Sequence, residues 1–415
     1  MKSINHTKMG MFLVVLLAAS VLFINGAFAQ LTNPDLPNRE GIKIWKMGET
    51  KGHAAVGAAA QYDSNIFLNN TDRKADEITI LSPSGGVEVP FGENSISADY
   101  RADIYYYAKF PDQNHVDQFV RGLIEAPLKD FILTVKDVFS IVTNRANNED
   151  SSRIRQNNNN LRAGVSAEFD LLKFDAGYTN FLETYASDDI VTGTITYNDK
   201  SRFSNIADLT VSYRFMPKTS IFLENLLGFV DYYKCGQVPN SIFEQAAVGI
   251  KGEWFQKADI DFKAGFRYQG YKYSDVFAHK SYIGAIIGGG MDYRPTDDDA
   301  IAINLLRTVY ESTYANMNYY ISNFAGIEYR HMFSDKVSAA LFGSYEFHQY
   351  PSESTENGVT AKRYDNYLRG GASVRYDLRK WVSLEGRYEY TNRISKFDIF
   401  DYVDNQATIR GTVGF

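Results

Sequence analysis

Hydrophobic and polar residues alternate along most of the chain, in segments of about 10 to 15 residues that begin near Lys51. The last segment is the clearest case, because Ala407, Ile409, Val413 and Phe415 share one face and polar residues or glycine occupy the other. A period of two places one face of a β-strand in an apolar environment and the other face in a polar one. The pattern therefore predicts an all-β protein built from many two-faced strands.

The alternation is compatible with two architectures. In a soluble sandwich the apolar faces point inward, whereas in a membrane barrel they meet lipid. Three features favour the barrel: the apolar faces contain much glycine and alanine, tyrosines gather near strand ends, and short turns such as 216–219 alternate with longer connections such as 187–201 and 351–363. Aromatic girdles and this alternation of loop lengths are typical of outer-membrane barrels.

The segments predict a transmembrane antiparallel up-and-down β-barrel of about 18 strands, with 16 as the alternative, and an even number places both termini in the periplasm. The barrel spans residues 51–415 in this interpretation. The predicted strands begin near residues 51, 76, 95, 115, 131, 159, 173, 202, 219, 241, 257, 281, 299, 317, 336, 363, 381 and 404.

Two charged residues do not fit the alternation. Asp137 shares a face with Phe131 and Leu133, and Arg307 shares one with Ile301 and Leu305. A β-bulge shifts the register by one residue. We therefore expect a bulge in each of these two strands, which would turn the charge toward the polar side.

The N-terminus is typical of a secretory signal. Lys2 and Lys8 precede the apolar run Met9 to Ile24, and Ala27-Phe28-Ala29 is a small-residue cleavage pattern. A basic start, an apolar middle and such a cleavage site define a signal peptide. We predict a signal peptide over residues 1–29 and a periplasmic lead-in segment over residues 30–50.

The composition and net charge exclude several other classes of protein. A mean hydropathy of -0.31 argues against a helical membrane protein, and a net charge of -7 argues against a nucleic-acid partner. Loss of Lys2 and Lys8 with the signal peptide changes the charge to -9. Cys235 is the single cysteine, which excludes an internal disulfide and a cysteine metal cluster, and we predict an isolated loop thiol. No cofactor is expected.

Three short segments carry a resemblance to a known family. They are Tyr62-Asp63-Ser64-Asn65-Ile66-Phe67-Leu68, Ile78-Thr79-Ile80-Leu81-Ser82-Pro83 and Val87-Glu88-Val89-Pro90-Phe91-Gly92. Over about residues 55–110 the chain resembles the β-barrel porin 2 family of outer-membrane proteins. The resemblance implies a barrel in the outer membrane of a Gram-negative-type cell, associated with exopolysaccharide or capsule export. It also implies polysaccharide and periplasmic export components as partners.

The polar strand faces supply the candidate functional residues, since a barrel of 16 to 18 strands can enclose an aqueous channel. Two interpretations stay open: the charges pair across strands, or the arginines form a track for an anionic solute. A three-residue turn at Arg379-Lys380-Trp381 would pair Arg375 with Glu385, and we expect these two side chains to lie within contact distance. The candidate pore-lining residues are Arg101, Arg162, Arg214, Arg267, Arg369, Arg375, Glu385, Arg387, Glu389 and Arg410.

The primary hypothesis is a porin-like channel associated with exopolysaccharide export. The first alternative is a passive or substrate-selective diffusion porin for small anionic solutes. The second is a structural or adhesive outer-membrane protein that uses the Asn-rich segment 146–160. No predicted outer loop exceeds about 15 residues, so we expect either a wide pore or a pore closed by wall side chains or by the lead-in segment 31–50.

An enzyme is not expected. His115, His279 and His348 fall near the outer ends of strands, but no ligand-spaced or nucleophile–base motif surrounds them. We therefore predict no catalytic residue and no metal site.

Phe415 ends the last alternating strand on its apolar face. Such an end resembles the signal that the barrel-assembly machinery reads in outer-membrane proteins, so this machinery and outer-membrane lipid are expected partners. We predict that this strand closes the sheet against the strand near Val56 to Tyr62, which leaves no exposed sheet edge.

Overall fold

The computed structural model describes residues 45–145, 149, 152–233, 238–274, 276–277 and 281–414. The predicted signal peptide, residues 30–44 of the predicted lead-in segment, Cys235, His279 and Phe415 lie outside these ranges. The predictions made for them therefore stay predictions.

The described chain is almost entirely β-structure. Three short 3-10 helices, Pro111–Gln113, Asn198–Lys200 and Asp398–Phe400, lie in connections between strands. The strands are β1 (Trp45–Met47), β2 (Thr50–Asp63), β3 (Asp76–Phe91), β4 (Asn94–Tyr107), β5 (His115–Leu128), β6 (Phe131–Arg145), β7 (Arg153–Phe169), β8 (Leu172–Tyr185), β9 (Ile190–Thr192), β10 (Ile195–Thr196), β11 (Arg202–Met216), β12 (Thr219–Tyr232), β13 (Ser241–Phe255), β14 (Ala258–Tyr271), β15 (Tyr282–Tyr293), β16 (Asp299–Glu311), β17 (Tyr319–Ser334), β18 (Val337–Glu356), β19 (Val359–Arg379), β20 (Val382–Ser395) and β21 (Tyr402–Gly414).

Eighteen of these strands, β2 to β8 and β11 to β21, form one closed antiparallel ring. Each strand pairs with the next along the chain, and β21 pairs with β2. In that last pairing Val56 lies opposite Val413 and Tyr62 lies opposite Ala407. The predicted strand number of 18 and the predicted closing pair are confirmed.

The two faces of the wall are opposite in character to those of a soluble sandwich. Large apolar side chains lie on the outside, where Leu223, Phe266 and Ile283 are 66%, 71% and 79% exposed. Charged side chains such as Asp99 and Asp208 are buried on the inside. An apolar outer band around a polar interior is the arrangement that a lipid bilayer requires of a β-barrel. No helix in the described part of the chain is long and apolar enough to cross a membrane.

The two ends of the barrel differ. At one end, here called the turn end, successive strands are joined by short turns, such as the two residues between Phe91 and Asn94, and both β1 and the last residues of β21 lie there. At the other end, the loop end, most connections are longer, and β9 and β10 form a small hairpin inside one of them. Register shifts accompany several turns at the turn end, as between Arg214 and Met216.

Two loop-end boundaries differ from the predicted ones. Strand β7 begins at Arg153, six residues before the predicted start, so residues 157–160 of the Asn-rich segment belong to the barrel wall. Strands β18 and β19 continue to a two-residue turn at Asn357-Gly358, whose φ angles are +49° and +80°. Asn-Gly is the preferred pair for such a turn, because both central residues need positive φ. The predicted long loop 351–363 is therefore wrong.

The two predicted bulges are also wrong. The ladders on both sides of β6 and of β16 run without a register shift. Asp137 therefore points outward, opposite Gly122 and Leu161. Arg307 also points outward, where it donates to the side-chain oxygen of Asn323 and to the carbonyl oxygen of Ala285.

Candidate functional site: the barrel lumen

All ten predicted pore-lining residues lie on the inward face of the wall. Their positions follow from the strand alternation, since each shares a face with other charged residues of its strand. Glu385 lies directly opposite Arg375 in the ladder, so the predicted register is correct. The ion pair of Arg375 is formed with Asp377 of its own strand, at 2.9 Å.

Most of the lumen arginines have a carboxylate partner. Arg162 donates to Asp208 at 2.8 Å, and Arg101 lies 2.9 Å from Asp103. Arg369 and Arg387 share one carboxylate, that of Glu389, at 3.2 and 2.8 Å. The pairing interpretation thus describes much of the wall, with a local excess of positive charge around Glu389.

Two of the predicted arginines contact neutral groups only. Arg410 donates to the Ser82 hydroxyl at 3.1 Å. Arg267 donates twice to the Gln269 side-chain oxygen, and its guanidinium lies 3.7 Å from the centre of the Phe243 ring. Among the described residues, neither guanidinium has a carboxylate partner.

One wall of the lumen is rich in arginine. Three consecutive strands, β19, β20 and β21, carry six inward arginines from the loop end to the turn end. The same inward faces carry five carboxylates, so the excess of positive charge on this wall is small; they are Asp365, Asp377, Glu385, Glu389 and Asp404. Sequence reasoning missed two of the six arginines. Arg363 was assigned to the predicted long connection 351–363, and β20 was not followed as far as Arg393. The six residues, here called the arginine wall, are Arg363, Arg393, Arg369, Arg387, Arg375 and Arg410.

At the loop end of the arginine wall, Arg363 is fully buried. It donates to both oxygens of Asp365, at 2.8 to 3.1 Å. Its guanidinium lies 3.8 Å from the ring centre of Phe400 and 4.3 Å from that of Tyr314. A guanidinium can stack on aromatic rings and still use its edge for hydrogen bonds. The Nη2 group, which donates to Asp365, also donates to the backbone oxygen of Glu149 at 2.8 Å.

Glu149 connects opposite sides of the barrel mouth. It lies between β6 and β7, whereas its partners Ser312 and Thr313 lie between β16 and β17, and β17 is nine strands from β6 in the ring of 18. The Ser312 hydroxyl and the Thr313 backbone N–H each donate to its carboxylate at 2.6 Å. The Thr313 hydroxyl donates as well, at 2.9 Å. We call this set of contacts the mouth bridge.

A buried lysine extends the mouth bridge. Lys200, from the connection between β8 and β11, donates to the backbone oxygens of Ser312 at 2.9 Å and Met317 at 3.4 Å. Its ammonium lies 4.4 Å from the Phe277 ring centre. Burial lowers the pKa of Lys200 to about 7, since removal from water disfavours the charged form.

Apolar side chains fill the space around these polar contacts. Ile195 and Phe277, both from loop-end connections, pack against Leu226 and Val230 of the inner wall. Met317 packs with Tyr320 and Tyr350. Among the described residues, loops and wall side chains therefore meet across the loop end of the lumen. These contacts favour the predicted pore closed by wall side chains over the predicted wide pore.

The described histidines sit in ordinary contacts. The His115 ring stacks on Tyr105 with 4.4 Å between ring centres, and His348 lies 2.8 Å from Glu346. Within the described ranges, no group of three or more His, Cys, Asp or Glu residues is placed to hold a metal ion.

A closed 18-stranded barrel with an apolar outside and a charged lumen defines a β-barrel of the porin-like channel class, located in the outer membrane of Gram-negative-type bacteria. The chain belongs to the family described as "Putative beta-barrel porin 2", whose sequence model matches residues 51–413. The predicted family is thereby confirmed.

Three solved structures are similar to this chain at low sequence identity. OccK2 (OpdF) of Pseudomonas aeruginosa is 9% identical, with a TM-score of 0.49, and the match covers 88% of this chain and 98% of that one. A BenF-like porin of Pseudomonas fluorescens Pf-5 is 11% identical, with a TM-score of 0.48 and coverages of 89% and 100%. OccAB3 of Acinetobacter baumannii is 10% identical, with a TM-score of 0.47 and coverages of 89% and 100%. No curated protein sequence matches this chain.

Proposed function

We propose that this barrel is a substrate-selective diffusion porin for small anionic solutes, with its turn end in the periplasm and its loop end outside the cell. The arginine wall carries the proposal. It places six guanidinium groups along one side of the lumen. Arg363 and Arg393 are buried at the loop end, whereas Arg369, Arg387, Arg375 and Arg410 are accessible to solvent toward the turn end. A solute with a carboxylate can thus move between successive positive groups.

The chemistry of these groups fits an organic anion. Each guanidinium presents several donors in a planar fork that matches a carboxylate. Arg369 and Arg387 share the single carboxylate of Glu389, and Arg410 bonds only a hydroxyl. Donors that are not fully used by the protein remain for a passing anion.

The closed loop end is compatible with this function only if the mouth bridge opens. A small solute needs a local displacement of the loops, whereas a polymer in transit needs the whole mouth cleared. Association with exopolysaccharide export rests on the family resemblance, and no contact among the described residues of the lumen favours it. We therefore place the anion porin first and polysaccharide export second.

Ion selectivity in planar bilayers tests the proposal. Under a KCl gradient we expect a reversal potential on the anion side for the full mature chain. The double variant Arg369→Gln, Arg387→Gln should shift it toward cations, because it removes two positive charges around one remaining carboxylate.

The matched control is Arg214→Gln, which removes an inward arginine outside the arginine wall, at the turn end beside Glu168. We expect a smaller shift for this variant. Cation selectivity in the unaltered protein, or an equal shift per charge in the control, would rule out the arginine wall as the selectivity element.

A further inference from the structure

The barrel wall is interrupted at one place. Strand β15 pairs with β14 as far as Tyr282, and β16 pairs with β17 as far as Glu311. The ladder between β15 and β16, however, extends only to the pair Ile287 and Arg307. In the described chain, residues 283–286 and 308–311 thus face each other across this seam without ladder pairing.

The interruption arises because β16 turns into the lumen. Tyr310 and Glu311 are consecutive, yet both side chains are inside. The Tyr310 ring lies 5.4 Å from that of Tyr320, and Glu311 accepts hydrogen bonds from Tyr232 at 2.9 Å and Ser241 at 3.0 Å. In a regular strand, consecutive side chains point to opposite faces.

Side chains fill the seam where backbone pairing stops. Val309, which is 5% exposed, packs with Tyr271, Tyr282 and Tyr319. The Tyr319 ring lies 5.7 Å from the ring of Tyr271 and 5.7 Å from that of Tyr282. Rotation of a side chain takes far less time than the breaking of a strand pairing. This part of the wall can therefore open without loss of a backbone ladder.

The two sides of the seam differ in chemistry. On the outside, Ile283 and Phe266 are the most exposed apolar side chains of β15 and β14. On the inside, Arg267 lies directly opposite Gly284 in the ladder, and Gln269 is its only hydrogen-bond partner among the described residues. The outside of the seam is therefore apolar, and the inside holds the Arg267 guanidinium together with the Glu311 carboxylate, to which Gln269 donates.

We propose that the seam between β15 and β16 is a lateral portal that admits the apolar part of an amphipathic anion from the surrounding lipid while Arg267 binds its anionic head. The proposal rests on the proposed function in that it specifies the solute class of the same lumen. The solute is an organic anion with an alkyl chain or a comparable apolar part, which partitions into the membrane before it enters the barrel.

Cysteine labelling tests access from the lipid. In a Cys235→Ser background, Val309→Cys places a thiol in the seam. Val230→Cys is the matched control, since Val230 is 3% exposed on the inner wall and is paired on both sides, with Ser204 and Ser241. With dodecylmaleimide in the bilayer, we expect the seam variant to react at least about tenfold faster, which corresponds to ~1.4 kcal/mol.

Equal rates for the two variants would overturn the portal. So would equally fast labelling of the seam variant by a charged, water-soluble maleimide, because access would then come from the lumen. An additional Tyr282→Ala substitution should speed up the lipid-side reaction in the seam variant and leave the control unchanged. No acceleration there would show that the rings do not close the portal.

Inhibition of chloride current tests the solute class. We expect decyl sulfate to inhibit at a concentration at least about tenfold lower than methyl sulfate, which has the same head group and no chain. In the double variant Ala285→Cys, Val309→Cys, made in the same Cys235→Ser background, a disulfide across the seam should abolish this difference while chloride current persists. Persistence of the difference after verified disulfide formation would overturn the portal. Absence of all chloride current would reject the porin function, and the labelling contrast would then decide the portal alone.

Discussion

Strand β19 contains the same charged pair twice, once at each end of the lumen. Arg363 and Asp365 lie 2.8 Å apart at the loop end, and Arg375 and Asp377 lie 2.9 Å apart at the turn end. The first two side chains are 0% exposed, whereas the second two are 50% and 41% exposed. An identical Arg-x-Asp spacing is thus a buried structural element in one half of the lumen and a solvated wall charge in the other.

The difference shows what the two halves do. The loop end is packed like a protein interior, where every charge needs a partner. The turn end keeps its charges in water, where they remain available to a solute. The surroundings of each pair determine whether it is buried or solvated, because arginine and aspartate with the same spacing occur in both halves.

The largest expected effect separates the two pairs by stability. Arg363→Met should destabilise the barrel by about 3–5 kcal/mol, since it leaves the Asp365 carboxylate buried without its cation. Arg375→Met should cost about 0–1 kcal/mol, as is usual for solvated pairs. Thermal unfolding followed by the gel-mobility shift of folded barrels measures both.

The double variant Arg363→Met, Asp365→Leu should recover part of the loss, because replacement of both partners removes the isolated charge. Equal destabilisation by Arg363→Met and Arg375→Met would contradict the contrast between the two halves.

The second prediction concerns the mouth bridge. Glu149→Ala removes an acceptor of three hydrogen bonds that join opposite sides of the mouth. A hydrogen bond to a charged group contributes about 1.5–3 kcal/mol, so open probability in single-channel recordings should rise at least about tenfold.

The control for the mouth bridge is Glu168→Ala at the turn end, where the carboxylate is 58% exposed. It should leave open probability unchanged. A mouth that stays closed in the Glu149→Ala variant would show that the apolar packing alone holds the loops.

The smallest effect is a pH dependence of closure. The closed form lowers the pKa of Lys200 from 10.5 to about 7, whereas an open form exposed to water should keep the usual value. Between these values the open form binds one more proton, so a rise in pH favours closure. Below about pH 7 both forms carry the proton, and the dependence disappears.

We therefore expect open probability to fall as pH rises from about 7 to 10, by at most about tenfold per pH unit. Lys200→Met should remove the slope. The negative charges of Glu149 and Glu311 oppose the lowering of the Lys200 pKa, and the positive charge of Arg202 adds to it. Any pH dependence of open probability that remains in the Lys200→Met variant therefore comes from other titrating groups. An unchanged slope would assign the pH dependence to them.

Sequence patterning predicted the wall far better than the mouth. Alternation at period two revealed nearly every strand, because each wall residue faces either lipid or lumen. The contacts at the mouth join residues that are distant in sequence, as with Lys200 and Ser312, which are 112 positions apart. Loop residues carry no period that reports such contacts. The Asn357-Gly358 turn is different, since its dipeptide is a known hairpin signal and was available from the sequence.

Arg307 shows the other limit of patterning. Its place on the apolar face suggested a shifted register, but the side chain points outward and bonds Ala285 where the β15–β16 ladder ends. A residue that broke the pattern thus marked a real interruption of the wall.

The closing pair of strands also has a consequence for biogenesis. Every pairing in the ring except that of β2 with β21 joins ring strands that follow one another along the chain. In the pairing of β2 with β21, Val56 and Val413 are partners although nearly the whole barrel sequence separates them. Pairings between distant residues are slow to form, since chain entropy is lost before any contact compensates. The hairpins can therefore form one after another, while the sheet stays open, with two unpaired edge strands, until β21 pairs with β2. A chain truncated before Tyr402 would expose β2 and β20 as free strands, which makes it a candidate for aggregation or proteolysis in the periplasm.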